Sequence, residues 1–562
     1  MRRLVQTVGS ALPWLIPGIF GAAWYLAIGG GRTLAPTNVW WMLEGDWFCY
    51  LFSWLFYRNE PWSLPLGDLP DLIHPFGTSV GLTDSLPLLN SVGKLLSPVL
   101  PEQFQLYGLW MCSGFVVMGI VGSRLVARVS NDRLLQAMGG IVLAVSPILS
   151  TRYGHPPFSA LWAIFGLIGL ALLPRPGRAW GDQRQAWGFL FFACATHPYL
   201  AAMALPIAMA VAARAVLLKE VSGPRQTSLI LAAPMLVAIA TLWFFGYLSS
   251  LGKVQGGAEG FGEFSADLTT FANPVVWSRF FGNIPIGPRQ YEGFAYLGLG
   301  GFVLALTGVV WLVRLRKGLL SLLPLLLVVL AMAFYSLSNV ITFGGHQVAD
   351  LRWLYAKLGS LPSMFRSSGR FIWPLHGLLV VSGVSALARL SLRNRGSARA
   401  LLGLAMVAQL ADINFSSSTL PKPGPHFEPL RAAAWNDLGH DYRHLAVIPV
   451  QISWYSPFDG PLIGKLSWLA YQQKMSINSG HVGRPPQGLV WDKHPSAAEL
   501  DPQTVYVVYF REYLSDFLQA GWTCGPLERM VVCVSASRDT ALRSALVQSL
   551  ERREPAELRP MR

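Results

Sequence analysis

Apolar runs of near-membrane length recur along the whole chain, and that recurrence limits what it can fold into more than any motif does. They lie near 12–28, 106–125, 134–150, 157–173, 186–196, 198–217, 227–248, 295–313, 319–338, 371–388 and 400–416. At about 1.5 Å per helical residue, about 20 residues cross a ~30 Å hydrocarbon core. The 186–196 run is too short to cross alone and breaks at His197-Pro198, which suits two half-membrane helices meeting there. The expected fold class is an α-helical polytopic membrane protein with about 11 transmembrane segments. Composition points the same way. Only 13% of the 562 residues are charged, against roughly 25% in an average soluble domain. A disordered chain and a small disulfide scaffold are excluded.

Charge placement sets the topology. The net charge is +14. An excess of that size can signal nucleic-acid binding, yet here the cations fall in alternate short loops: Arg124, Arg128 and Arg133; Arg175, Arg178 and Arg184; Arg214, Lys219 and Arg225; Arg314, Arg316 and Lys317; Arg389, Arg393, Arg395 and Arg399. That alternation is the positive-inside pattern, with the Arg2-Arg3 start in the cytoplasm. It leaves no case for a nucleic-acid partner. The long loops 31–105, 249–294 and 339–370 then lie outside. So does the tail from 417, whose strand-like runs at 445–450, 504–509 and 529–535 and helix-like runs at 465–474 and 537–553 suggest a soluble α/β domain. The expected domains are 1–416 in the membrane, including the first outer loop 31–105, and 417–562 outside. Cys524 and Cys533 lie close together in the tail, and the redox side of the membrane decides whether they pair.

The first outer loop is the most informative stretch. Residues 47–57 hold Trp47, Phe48, Tyr50, Phe52, Trp54, Phe56 and Tyr57, a density that suits a helix lying in the membrane interface. Asp46 stands at its head. It is either a plain N-cap or a base facing a membrane-surface cleft. Asp84 lies in an apolar neighbourhood, as a sugar or metal ligand or as a cap for the helix after Pro87. Asp68 and Asp71 read as turn residues. Arg366 and Arg370 are four apart and would share one face of a helix, a pairing suited to phosphate; a solvated basic loop is the alternative.

One spanning helix, then a long outer loop with an acid heading an interfacial helix, then many further helices, resembles the glycosyltransferase C (GT-C) superfold. Gly45-Asp46-Trp47, Trp54, Arg58-Asn59-Glu60-Pro61-Trp62, Pro65-Leu66-Gly67 and Thr83-Asp84-Ser85 are similar to a family of bacterial GT-C-like membrane proteins. Arg152-Tyr153-Gly154-His155, His197-Pro198-Tyr199, Tyr291-Glu292-Gly293 and Phe365-Arg366-Ser367-Ser368-Gly369-Arg370-Phe371 carry the resemblance further. It implies a bacterial inner-membrane, multi-pass enzyme with a cytoplasmic N-terminus and a periplasmic C-terminal domain. Such an enzyme transfers a sugar from a polyprenyl-phosphate donor to a glycan, lipid or protein acceptor, by an inverting step with Asp46 as base. It implies Arg366, Arg370 and His155 at the donor phosphate, and Asp84, Glu60, His197 and Glu292 on the sugar and acceptor side. Some members of the superfold use a divalent ion; no D-x-D pattern is present, so Mg or Mn remains open. The sequence does not specify the sugar or the acceptor.

A flippase of lipid-linked glycans and an envelope scaffold share the bulk hydrophobicity. Transporters tend to place ionisable groups at mid-membrane and to carry repeats, whereas here the acids gather in an outer loop. Other motifs are weaker. His440 and His444 have metalloprotease-like spacing without a glutamate between them, and Ser91-Val92-Gly93-Lys94 lacks the companion motifs of Ser-x-x-Lys enzymes. Asn478–Pro485 reads as a surface turn. Small residues at Gly293 and Gly298–Gly301 suit close helix packing.

Overall fold

The computed structural model describes residues 2–43, 45–152, 155–248, 252–255, 260–315, 318–414, 428–452, 460–528 and 530–551. Glu44, Tyr153, Gly154, Arg316, Lys317 and the proline-rich stretch at 421–425 lie outside the described residues. The chain forms two compact units. The first comprises Met1–Pro36, Leu106–Leu242 and Gly256–Leu420; the second comprises Thr37–Gln105, Trp243–Gln255 and Pro421–Arg562.

The first unit is a helical bundle. Among the described residues, five helices are long and apolar enough to cross a membrane: Tyr107–Ala127, Pro198–Leu217, Pro224–Phe244, Leu319–Leu337 and Ser368–Leu390. Four more apolar helices are shorter: Leu12–Ala27, Arg133–Ala144, Pro156–Leu172 and Gly298–Arg314. This is the build of a membrane protein. Glycines let the backbones meet: a Cβ at Gly300 would lie 2.0 Å from the Ala405 carbonyl oxygen, on the helix Arg395–Asp412. The 186–196 run is not a separate short helix. It is the end of Ala179–Thr196, an 18-residue helix about 27 Å long. Its first turn carries Asp182, whose charge is met by Arg128 at 2.6 Å and Arg175 at 2.6 Å.

The second unit is built around a five-stranded sheet. Its strands are β1 (His444–Ile448), β2 (Ser476–Ile477), β3 (Thr504–Val508), β4 (Thr523–Leu527) and β5 (Met530–Val534), in the order β2-β1-β3-β5-β4. β1 is parallel to β2 and β3, and β5 is antiparallel to β3 and β4. Every residue of β3 is buried, as expected for a central strand with both faces covered. Cys524 and Cys533 sit opposite each other in β4 and β5 and form a disulfide. The strand-like runs read from the tail correspond to β1, β3 and β5. β2, only two residues long, and β4, which contains Gly525 and Pro526, gave no such signal.

The first outer loop belongs to this unit. Leu72 bridges Ile477 of β2 in parallel, His74 N–H donates to the Ile477 carbonyl (2.9 Å), and Ile477 N–H donates to the Asp71 carbonyl (2.8 Å). The loop thereby covers a sheet edge that would otherwise present unpaired backbone groups. The aromatic helix, Trp47–Asn59, departs from the interfacial reading. Phe48 through Tyr57 are all buried, so it is a core helix of the unit and presents no apolar face outward.

Candidate functional site

Three of the residues singled out from sequence, Glu292, Arg370 and His155, come together with Arg152 in the first unit. Glu292 sits in the 3-10 turn Gln290–Gly293 and is only 5% exposed. Its Oε2 accepts from Arg370 Nε at 2.8 Å and faces Arg152 Nη1 at 3.3 Å. Arg152 ends the short helix Pro147–Arg152 and also donates to the Tyr291 carbonyl (2.6 Å). Burial alone would raise the pKa of Glu292. The guanidiniums of Arg152 and Arg370, with His155, overcome that and hold its carboxyl below the usual carboxylate range.

Two glycines make the pairing sterically feasible. A Cβ at Gly369 would lie 2.8 Å from the Gly293 Cα and the Phe264 carbonyl oxygen, and one at Gly293 would lie 2.5 Å from the Ala266 Cα, so both positions exclude a side chain where these segments pack. Aromatic rings line the approach. The Arg370 Cζ is 4.6 Å from the Phe158 ring centroid and 4.8 Å from that of Tyr199. Such stacking suits a guanidinium in an apolar setting. Two guanidiniums face one carboxylate here, which leaves surplus positive charge at the head of the span Ser368–Leu390.

The other predicted residues around this cluster have different tasks. His155 is half-buried, and its backbone N–H donates to the Arg152 carbonyl (2.9 Å). His197 is buried and caps the helix Pro198–Leu217, its Nδ1 accepting from Tyr199 N–H at 3.2 Å. Arg366 and Arg370 do not share a helical face. The 3-10 helix begins at Ser368, after Arg366. Arg366 is exposed, its Cζ 5.0 Å from the Phe264 ring centroid. Arg152 carries no role in the sequence reading. Its signal was a lone charge closing an apolar run just before His155.

The second unit holds Asp46, Asp84 and Glu60. Asp46 stands at the N-cap position of Trp47–Asn59, but its side chain makes no capping hydrogen bond. The plain-cap explanation therefore fails at the atom it depends on. Cys49, one turn on, donates its Sγ–H to the Asp46 carbonyl at 2.9 Å. Burial, then the carboxylates of Asp84 and Asp46, push the Cys49 thiol up, so both acids act on one neighbourhood. Asp84 occupies the left-handed region at φ 55° and is not a cap, since the helix Pro87–Leu96 has Leu86 at its N-cap. Its Oδ1 lies against Gly483, whose N–H donates to the Leu82 carbonyl (2.7 Å). The 478–485 segment is thus packed against the first loop, contrary to its reading as a surface turn.

Glu60 follows the same helix as its C-cap. Burial and the neighbouring Asp71 carboxylate push it up to about 7. Lys94 is buried, donating to the carbonyls of Tyr57 (2.8 Å) and Pro61 (3.2 Å), and burial lowers it to about 8. These bonds give Lys94 a structural position. His444 stacks on His74 at 4.1 Å and bonds Ser476, while His440 lies in the separate turn Leu438–Asp441. Among the described residues no three His, Cys, Asp or Glu side chains converge to hold a metal ion.

The model for "Domain of unknown function (DUF6311)" matches residues 18–414, and that for the "DUF6311 C-terminal domain" matches 434–535. No curated protein matches the chain. Solved structures that resemble it include the arabinofuranosyltransferase AftD from Mycobacteria, at 15% identity and TM-score 0.37, covering 87% of this chain and 39% of that one. A mutant form of the same protein is similar at 17% identity and TM-score 0.35, covering 74% of this chain and 32% of that one. This chain therefore spans 32–39% of those proteins' length. Scores this low do not establish a shared fold.

Proposed function

The chain belongs to the DUF6311 family, and on that footing we propose that it is an inner-membrane glycosyltransferase of the GT-C kind. It takes a sugar from a polyprenyl-phosphate donor and gives it to an extracytoplasmic glycan, lipid or protein. The acceptor hydroxyl attacks the anomeric carbon and yields its proton to Asp46. The bond from that carbon to the phosphate oxygen breaks, and the electron pair leaves with the lipid phosphate, inverting the centre. The N-terminus is cytoplasmic and the C-terminal sheet domain periplasmic, where a Cys524–Cys533 disulfide persists.

The observation that carries this reading is the surplus cationic cluster of Arg152, Arg370 and His155 around Glu292 at the head of a membrane-spanning helix. A departing lipid phosphate needs preorganised positive charge at the membrane boundary. Exposed Arg366 is the direct phosphate ligand, with Arg370 and His155 behind it. Glu292, engaged by both arginines, positions them rather than binding sugar. Asp84, Glu60 and His197 stay on the sugar and acceptor side. A divalent ion has no assigned ligands.

Mass spectrometry of polyprenyl-linked and surface glycans, with and without the gene, tests the assignment. Loss of one sugar from a surface glycan with build-up of its lipid-linked donor is expected. An unchanged surface glycan profile with the donor pool also unchanged would overturn it.

A further inference from the structure

The helix Pro87–Leu96 in the second unit is inside out. Its polar side chains are the buried ones. Asn90 is 1% exposed and donates to Ser85 Oγ (3.1 Å), and Lys94 is 5% exposed and held by the Tyr57 and Pro61 carbonyls. Apolar side chains of its second half point outward: Val92 is 44% exposed, Leu95 71% and Leu96 43%, followed by Val99 at 82%, while Leu88 and Leu89 are half-buried. A helix at a water boundary does the opposite, turning its apolar stripe to the core. Lys94, the only ionisable residue between Pro87 and Val99, is turned inward, and the one charge bordering the stripe among these contacts is the Arg58 guanidinium, tied to Ser97 Oγ (3.1 Å) and the Pro101 and Glu102 carbonyls at its end. Trp62, 55% exposed, borders it with its ring 5.1 Å from Lys94 Nζ.

Chain connectivity identifies what covers this face. Leu100–Leu106 is the whole linker between Val99 and Tyr107, where a helix able to cross the membrane begins. Fully extended, such a linker reaches roughly 28 Å at most, which keeps the face within reach of the bilayer. An uncharged leucine-valine stripe edged by tryptophan is the composition of a helix lying at the headgroup–acyl boundary. We propose that Pro87–Leu96 lies in the outer leaflet of the bilayer, with Val92, Leu95, Leu96, Val99 and Trp62 among the lipid chains. The first outer loop is anchored by this helix rather than by the aromatic one. The two helices are joined through Lys94 and the Tyr57 carbonyl, so the lipid contact sets the level of the helix that Asp46 heads. The contact itself does not depend on the glycosyltransferase reading.

The test uses the native full-length protein in phosphatidylethanolamine–phosphatidylglycerol vesicles that contain a phospholipid with a photoactivatable acyl chain. Adducts are mapped by mass spectrometry. Labelling across Val92–Val99 is expected to match that at Leu320 and Leu327 of the span Leu319–Leu337. It should exceed by at least about tenfold the labelling at Leu518, an equally open leucine on the charged helix Arg511–Gln519. No lipid adducts at 92–99, with Leu320 and Leu327 labelled, would overturn the proposal. So would labelling at 92–99 no greater than at Leu518.

Discussion

The charged clusters of the two units are held in opposite ways. Around Glu292 each ionic group meets another ionic group, glycines shape the approach, and burial fixes the result. Around Asp46 and Asp84 two carboxylates bear on one thiol, and Asp46 lacks the capping bond its position invites. A buried carboxylate among guanidiniums is accounted for by architecture. The Asp46 carboxylate at its helix head has no such account, since it does not cap the helix. The contrast predicts that substitutions at Glu292 act on stability, whereas those at Asp46, if it is the proposed base, act on transfer.

The largest expected effect comes from breaking the first cluster. Glu292→Gln leaves two guanidiniums facing no carboxylate and should cost about 3–5 kcal/mol, read as a lower midpoint of thermal unfolding in detergent. An unchanged midpoint would mean the ion pairs are replaceable by water. Next, Gly369→Ala places a methyl where the Gly293 backbone stands and should cost about 1–3 kcal/mol. Near-neutral stability there would show that the segments can part without loss.

A smaller effect is pH-dependent. Burial and stacked His444 lower the pKa of His74, against the opposite pull of Asp71 and Asp501. A histidine whose folded pKa is depressed stabilises fully above its unfolded pKa, and that stability falls as pH drops below about 6.5. Hydrogen exchange at His74 and Ile477, whose amides tie the first loop to β2, should therefore speed up between about pH 7 and pH 5.5 relative to β3. His444→Gln should flatten that dependence. The smallest change in stability belongs to Arg366→Ala, within about ±0.5 kcal/mol for an exposed side chain. If Arg366 meets the donor phosphate, KM for the donor rises while the unfolding midpoint stays put.

Much of the helical bundle was legible because apolar runs of membrane-crossing length are written directly in the sequence. The strands of the tail that have long β-branched runs were legible for the same reason, while β2 is too short to show a period. Misreadings arose where tertiary context overrode local composition. Seven aromatics in eleven residues looked interfacial, yet Trp47–Asn59 has enough of the second unit around it to be buried from Phe48 to Tyr57. The modest sequence of Pro87–Leu96 hid an inverted face, because no periodicity says which side of an amphipathic helix faces inward. Among the candidate site residues, sequence brought out His155, Glu292 and Arg370 singly. Their convergence, and the part of Arg152, depend on a Gly293–Gly369 approach between residues far apart in the chain.

One measurement bears most directly on the catalytic proposal: the initial rate of sugar transfer by Asp46→Asn, in membranes and from a polyprenyl-phosphate donor, alongside its unfolding midpoint. A catalytic base predicts a rate lower by about 10²–10⁴-fold, with the midpoint unchanged because the side chain caps nothing. Full transfer activity in a normally inserted Asp46→Asn protein would contradict it.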